Sequence, residues 1–489
     1  MGLARDTVRG ALWTISSGMG SRAIGLIGTL VVTRFIAPAD YGEVTVAAVL
    51  VMTANQFSSV GFGQYLVAKP DAPRSMAFHV TSFHLLLGAI ALGLLLAGGG
   101  ALAPLLDAPR MARFLPGLAL SGLLDRVAFV PERILVRDLR FGPLSLTRTL
   151  GDLAHSAVSV TLAALGWGAA AIVMGNVVRS SVRLLALIAS VERRDWLEPC
   201  RLSMRQTREL LAFGVPMALG AACGFAVRRW DNLLVSHFFG PGPTGMYNLA
   251  YNLADVPAIQ VGEQIGDVLL PSFARVEAAR RPAALVRSMG LLSLVVFPLA
   301  VGLGAVAPTL VATIFDARWR PLGPMLVLLS ALSVARPVGW TVSSYLQARQ
   351  LPRTIFWLEA LKLFLLVAGI VTFGRQSPLW TCTAVGVSFG LHALASLWVV
   401  RRNDQVPLRR SLGSMAPALG ACLVMVAGVL GVRSVALALG PVRPAVGLLF
   451  EVLGGALTYA IAALVLAREA SRDLLAKVRD ALRSHPLPG

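Results

Sequence analysis

Apolar residues along this chain gather into stretches of about 20, separated by short connections rich in arginine, glycine and proline. A helix needs roughly 20 residues to cross the ~30 Å hydrocarbon core of a bilayer, so each stretch predicts one membrane span. Fourteen are placed, at 11–33, 43–65, 77–98, 113–131, 144–165, 168–189, 211–236, 246–270, 289–314, 322–346, 354–374, 379–400, 411–432 and 445–467. The fold class that follows is an all-α polytopic membrane protein. The first stretch has no A-x-A pattern after it, which predicts a retained first helix and not a cleaved signal. The longest connection, near 190–210, runs to only about 20 residues, so no catalytic domain outside the bilayer is expected.

Arginine position then sets orientation, because cytoplasmic loops keep positive charge. With the N-terminus inside, the cytoplasmic connections carry Arg133, Arg137 and Arg140, then Arg193, Arg194, Arg201, Arg205 and Arg208. The series continues through Arg275, Arg280, Arg281 and Arg287 to Arg401, Arg402, Arg409 and Arg410, and the opposite loops hold roughly a third as many. An even number of spans with both termini cytoplasmic, in a bacterial inner membrane, is predicted. This face also absorbs the net charge of +19, which orients the protein and attracts anionic lipid headgroups; nucleic acid is not an expected partner. Cys200, Cys223, Cys382 and Cys422 show no metal or redox spacing, and no metal or cofactor is expected.

A repeat is visible at two corners. Phe35, Pro38 and Gly42, after the first span, match Phe238, Pro241 and Gly245, after the seventh, without a gap. Six spans separate the copies, and an even spacing makes the halves parallel, related by an axis along the membrane normal. The expected organisation is a six-helix bundle over 1–190, a basic linker at 191–210 and a second six-helix bundle over 211–400. A peripheral pair of helices over 401–467, with few buried polar groups, and an amphipathic cytoplasmic tail over 468–489 complete it.

The run Gly10-Ala11-Leu12-Trp13, then Arg34 to Gly42, then Ser59-Val60-Gly61-Phe62-Gly63, resembles bacterial polysaccharide exporters. These are the Wzx-type lipid-linked oligosaccharide flippases of the multidrug/oligosaccharidyl-lipid/polysaccharide superfamily. Asp231-Asn232-Leu233-Leu234, followed by Gly245-Met246-Tyr247-Asn248-Leu249-Ala250, is similar to the pattern that family carries on its seventh and eighth helices. The resemblance covers essentially the whole chain in topology and length. It implies a cavity opening alternately to each side, and an undecaprenyl-pyrophosphate-linked oligosaccharide as substrate, destined for lipopolysaccharide, capsule or exopolysaccharide. A polysaccharide polymerase and a chain-length regulator are the protein partners it brings with it.

Ionisable groups inside spans are costly, on the order of 2.5–3.5 kcal/mol each on insertion scales, and so point to function or pairing. Arg22 lies mid-span in the first stretch, Arg228 and Arg229 on the seventh beside Asp231, and Arg336 on the tenth beside Pro337. Arginine's fork matches phosphate oxygens, so these four are candidate contacts to an anionic pyrophosphate. An internal Arg228–Asp231 pair is the competing reading. Arg126, Arg148, Arg179 and Arg183 lie near cytoplasmic span ends, where snorkelling to the interface accounts for them.

On the eighth span, Asn248, Asn252, Asp255, Glu263 and Asp267 fall within an arc of roughly 120° at about 100° per residue. Asp255 and Glu263 fit proton or sodium coupling, and fit equally well as partners of Arg228, Arg229 or Arg336. Asn55 and Gln56 on the second span, with Asn248 and Asn252, suit sugar hydroxyls; interhelical hydrogen bonds would look the same. Asp152 and His155 read as a satisfied core pair, and Glu359/Lys362 as a local ion pair. Transport makes and breaks no bond, so an enzyme is not expected. A lipid II-type flippase or a cation-coupled multidrug exporter are the alternatives within the superfamily. A polytopic glycosyltransferase or O-antigen polymerase is the alternative outside it, disfavoured by external turns as short as Gly166-Trp167-Gly168.

Overall fold

The computed structural model describes residues 24–68, 73–138, 140–438, 440, 443–468 and 470–472, with side chains described outside 64, 216–217, 256–268 and 271. Arg22, the side chains of Glu263 and Asp267, and most of the basic tail therefore lie outside the described residues.

Proline and glycine set the element boundaries. After a helix over 24–32 (α1), Pro38 opens α2 (Pro38–Phe57) at a position where its missing N–H costs nothing. Val60 and Gly61 then take positive φ angles of 45° and 65°, which separates α2 from α3 (Phe62–Ala68). The chain continues through α4 (Arg74–Leu105), α5 (Leu115–Arg137), α6 (Phe141–Ala164), α7 (Ala170–Ser190) and the single turn α8 (Arg194–Leu197). A long helix α9 (Met204–Phe239) meets α10 (Pro241–Arg275) at one residue, Gly240, whose φ of 75° makes the corner. Then come α11 (Arg281–Ile314), α12 (Leu322–Leu332), α13 (Arg336–Ala348), α14 (Pro352–Thr372), α15 (Pro378–Asp404), α16 (Leu408–Ala438) and α17 (Pro444–Leu466). No strand occurs among the described residues.

Eight helical segments among the described residues are long and apolar enough to cross a membrane, or nine if α9 is taken as one bent span. The protein is a multi-pass membrane protein. Helices α2, α5 and α6 are not among them and carry the polar and charged groups described below. Outward faces stay apolar for lipid, as at Leu94, Leu457 and Val465.

Packing divides the chain into two compact units, Met1–Asn248 and Leu249–Gly489. In the first, α7 lies against α5 and α6, and α9 lies along α2. Its core includes Phe62, Leu66, Val80 and Leu135 at one end and Val46, Ala47, Met111 and Leu115 at the other. In the second, α11 is the central post, packed by α12, α16 and α17, with α14 against α15. The expected poverty of buried polar groups on the last two helices is corrected here. Glu451 on α17 is buried and takes both arms of the Arg433 guanidinium from α16 at 2.8 Å. Thr309 on α11 donates to the same carboxylate at 2.7 Å, and Arg433 also donates to the Ala305 carbonyl at 2.7 Å. The pair α16–α17 is thus fastened to α11 by a satisfied ionic network.

Candidate functional site

The break between α2 and α3 creates the first feature of the site. A helix ends with carbonyls that lack intrahelical partners, and α2 ends inside the protein. Arg126, from α5, supplies the donors. Its Nε donates to the Asn55 side-chain oxygen at 2.7 Å, one terminal nitrogen to the Asn55 carbonyl at 2.6 Å, and the other to the His84 carbonyl at 2.8 Å. The Ser58 hydroxyl is a further partner. Arg126 is only 3% exposed, which corrects the snorkelling expectation. No carboxylate pairs with it among the described residues. Its charge is solvated by carbonyls and by the negative end of the α2 dipole.

Next to it, α5, α6 and α7 share a charge network. Glu132 pairs with Arg148 at 2.6 Å and with Arg183, Asp125 lies 3.8 Å from Arg183, and Asp152 meets Arg179 at 2.9 Å. Asp152 therefore takes an arginine as its ionic partner, where the sequence pairs it with His155. Arg133 lies 5.0 Å from the Phe129 ring, which in turn stacks on His84 at 4.2 Å. Five arginines (126, 133, 148, 179 and 183) face three carboxylates (125, 132 and 152), so this region of the first unit carries an excess of two positive charges. The sequence signal for it was the spacing of Arg126 and Arg133, seven apart on one helical face.

Alongside, α9 presents Arg228 and Arg229. Arg228 is exposed with no ion pair among the described residues, and Arg229 is half-buried. The Arg228–Asp231 pair does not form. Asp231 is fully buried and accepts from Tyr247 at 2.6 Å and from the Asn232 backbone and side-chain nitrogens at 2.9 Å each. Asn248 donates to the Asn232 side-chain oxygen at 3.0 Å. The Asp-Asn and Tyr-Asn pairs thus knit α9 to the first turns of α10. Trp230 stacks on Phe57 with ring centroids 5.9 Å apart, and its indole nitrogen lies 3.4 Å from the Thr53 hydroxyl. This leaves half-buried Gln56 beside an aromatic pair that sequence reasoning missed.

The repeated corners meet. A Cβ on Gly42 would run into the Pro241 carbonyl and the Gly245 nitrogen; a Cβ on Gly245 would run into the Pro38 carbonyl and the Gly42 nitrogen. Each copy of the motif holds the other's backbone, and only glycine permits the approach.

In the second unit, Asp255 on α10 forms an ion pair with Arg336 at the start of α13, and both side chains are nearly buried. The guanidinium also lies over Tyr251 at 5.4 Å and Phe389 at 5.1 Å. Asn252, one turn before, is half-buried. Glu359 and Lys362 pair at 3.9 Å, as their spacing indicated. The structure therefore gathers Arg336 with Asp255, ties Asn55 to Arg126 and Asn248 to Asn232, and leaves Arg228, Arg229 and Gln56 on their own helices.

A family model described as "Polysaccharide biosynthesis protein" matches residues 31–324. The chain belongs to that family. Among its curated relatives, the lipopolysaccharide biosynthesis protein WzxC of Escherichia coli (strain K12) is 24% identical over 392 residues, covering 80% of this chain and 78% of the relative. The succinoglycan biosynthesis transport protein ExoT of Rhizobium meliloti (strain 1021) is 24% identical over 432 residues, 86% and 85% of the two chains. Among solved structures, the lipid II flippase MurJ in an inward closed conformation aligns with a TM-score of 0.76 at 14% identity, over 94% of this chain and 99% of that one. That likeness shows a shared fold. The segment matched to the polysaccharide biosynthesis family contains the α2–α3 break, the arginine-rich region and the α9–α10 clamp; Arg336 and the helices after it lie beyond it.

Proposed function

We propose that this protein is a flippase that carries an undecaprenyl-pyrophosphate-linked oligosaccharide across the bacterial inner membrane by alternating access, for cell-surface polysaccharide synthesis. The observation that carries this reading is the excess of arginine within the membrane-spanning region of a polysaccharide biosynthesis family member. A pyrophosphate head crossing a low-dielectric region needs fixed cations, and arginine offers paired donors to its oxygens. Arg228 and Arg229 are the described residues best free to meet it, with Arg22 as a third. Gln56 and Phe57 offer polar and aromatic surface to sugar rings. The polyprenyl tail stays in lipid, no covalent bond changes, and the protein is not an enzyme.

In this reading the chain has fourteen spans, arranged as two six-helix bundles plus α16 and α17, with both termini cytoplasmic. Asp255 and Glu263 are the candidates for proton or sodium coupling. Protonation of Asp255 would remove the counter-charge from Arg336, turning a neutral pair into a free cation. A cationic interior fits cationic drugs poorly, and that disfavours the multidrug alternative.

The test is translocation of undecaprenyl-pyrophosphate-linked oligosaccharide in proteoliposomes, wild type beside Arg22→Ala, Arg228→Ala and Arg229→Ala. Flipping by the wild type and at least a tenfold loss in the variants, with folding intact, is expected. Sugar transfer or polymerisation by a wild type that does not flip would overturn the reading.

A further inference from the structure

Three charged side chains of the first unit stand within one residue of the middle of their helices: Asp125 on α5, Asp152 on α6 and Arg179 on α7. Helix α7 is long and apolar enough to cross a membrane. Arg179 therefore lies roughly 15 Å from either end at 1.5 Å per residue, too far for its side chain to snorkel out. Yet the Arg179 and Asp125 side chains are 45% and 44% exposed. Hydrocarbon does not solvate such groups, so this face of α5, α6 and α7 opens on water.

A second rung of charge adjoins the first. Glu132 sits between Arg148, at 2.6 Å, and Arg183, and Asp125 lies 3.8 Å from Arg183 and joins the two rungs. Arg148 and Arg183 each give Glu132 one terminal nitrogen, and the Nε of Arg183 is buried with no acceptor. A guanidinium carries five N–H donors, so donors remain. The Arg433–Glu451 pair shows how this protein builds a permanent ion pair: both arms of the fork are engaged at 2.8 Å and the carboxylate side chain is 3% exposed. The pairs on α5–α7 are wetter and more loosely bonded, with three arginines facing three carboxylates. An anion rich in oxygens can use the spare donors, and its departure restores the resident pairs, so no buried charge is stranded at either stage. Arg179 and Arg183, four residues apart, stand about 6 Å apart along α7, a spacing that serves two linked phosphates.

We propose that this groove is an exchange site for a polyprenyl-linked pyrophosphate, gripped by Arg148, Arg179 and Arg183. Asp125, Glu132 and Asp152 are the counter-ions that it displaces on arrival and that expel it on departure. The identity of that ligand rests on the flippase reading; the exchange itself is a property of the groove.

Binding of farnesyl pyrophosphate, inorganic pyrophosphate and phosphatidylglycerol to the purified full-length protein tests this, because the two kinds of substitution should act in opposite directions. R148Q/R179Q/R183Q should weaken farnesyl pyrophosphate at least tenfold, and D125N/D152N should tighten it at least threefold. The charge-matched control R193Q/R194Q/R201Q should leave it unchanged. Should a combined variant not fold, Arg179→Gln and Asp152→Asn alone decide by the same signs. In proteoliposomes D125N/D152N should lower KM and turnover together, since release slows, whereas a merely structural loss would spare KM. The site is overturned by affinity that ignores the arginine variants, by affinity that D125N/D152N weakens, or by binding no weaker for phosphatidylglycerol or inorganic pyrophosphate. A wild type that binds with the expected signs and does not flip would sink the transport reading and leave the exchange site standing.

Discussion

Each unit holds an arginine inside the membrane-spanning region, and the two are accommodated by different means. Arg126 is held by backbone carbonyls and a side-chain amide at the end of α2, with no carboxylate partner among the described residues. Arg336 is held by Asp255 and two aromatic rings. The first arrangement contains no titratable partner, because backbone carbonyls and a side-chain amide bind no proton in the physiological range. The second depends on one carboxylate being ionised. A fixed cation and a switchable one are different tools, the first suited to holding a helix end and the second to changing charge during a transport cycle.

The comparison breaks most readily at Asp255. Removing one partner of a buried ion pair costs about 3–5 kcal/mol, so Asp255→Asn should lower the melting temperature of the purified protein sharply. The double variant D255N/R336Q should recover most of that loss; failure to recover would mean that Arg336 has other work than pairing. Arg126→Leu comes next. It strands the carbonyls of Asn55 and His84, and hydrogen bonds to a charged group are worth about 1.5–3 kcal/mol each before partial rescue by water. A melting temperature that does not fall would show that α2 needs no external donor.

Gly245→Ala should cost about 1–3 kcal/mol as an overpacked contact, and Gly42→Ala a similar amount, since the two corners press on each other's backbone. A large loss for one glycine with none for the other would refute a reciprocal contact. The smallest effect is expected at the exposed Asp316–Arg318 pair in the α11–α12 connection. Arg318 holds the Asp316 carboxyl below its ordinary range, so its contribution is present above the unfolded value and disappears as pH falls through the lowered one. Exposed pairs of this kind contribute about 0–1 kcal/mol, and Asp316→Asn should barely change the acid arm of a stability–pH curve.

The helical membrane fold was legible because a bilayer demands long apolar runs. The site was legible in part. The polar stripe on α10 gave a direction for Asp255, and Arg336 was among the partners it could meet, but periodicity does not choose between partners on other helices. Arg126 was misread because its distance from a helix end in sequence says nothing about the broken neighbour whose carbonyls it meets. Glu451 escaped notice because a lone carboxylate in an apolar stretch has no pattern, and its meaning lies in Arg433 and Thr309. The paired corner motifs were visible as a repeat. That they touch, and so require glycine twice, came only with the third dimension.

One consequence of the α9–α10 clamp concerns the order in which this protein is made. The first unit closes only when Tyr247 and Asn248 reach Asp231 and Asn232, and when Gly245 reaches Gly42. A nascent chain that has delivered the helices up to α7 still lacks the parts that seal them. The ribosome must extend past the middle of the polypeptide before the first unit can become self-sufficient. Splitting the gene at the basic linker should therefore yield a front fragment that awaits its complement, whereas a split after α10 should release one that holds together.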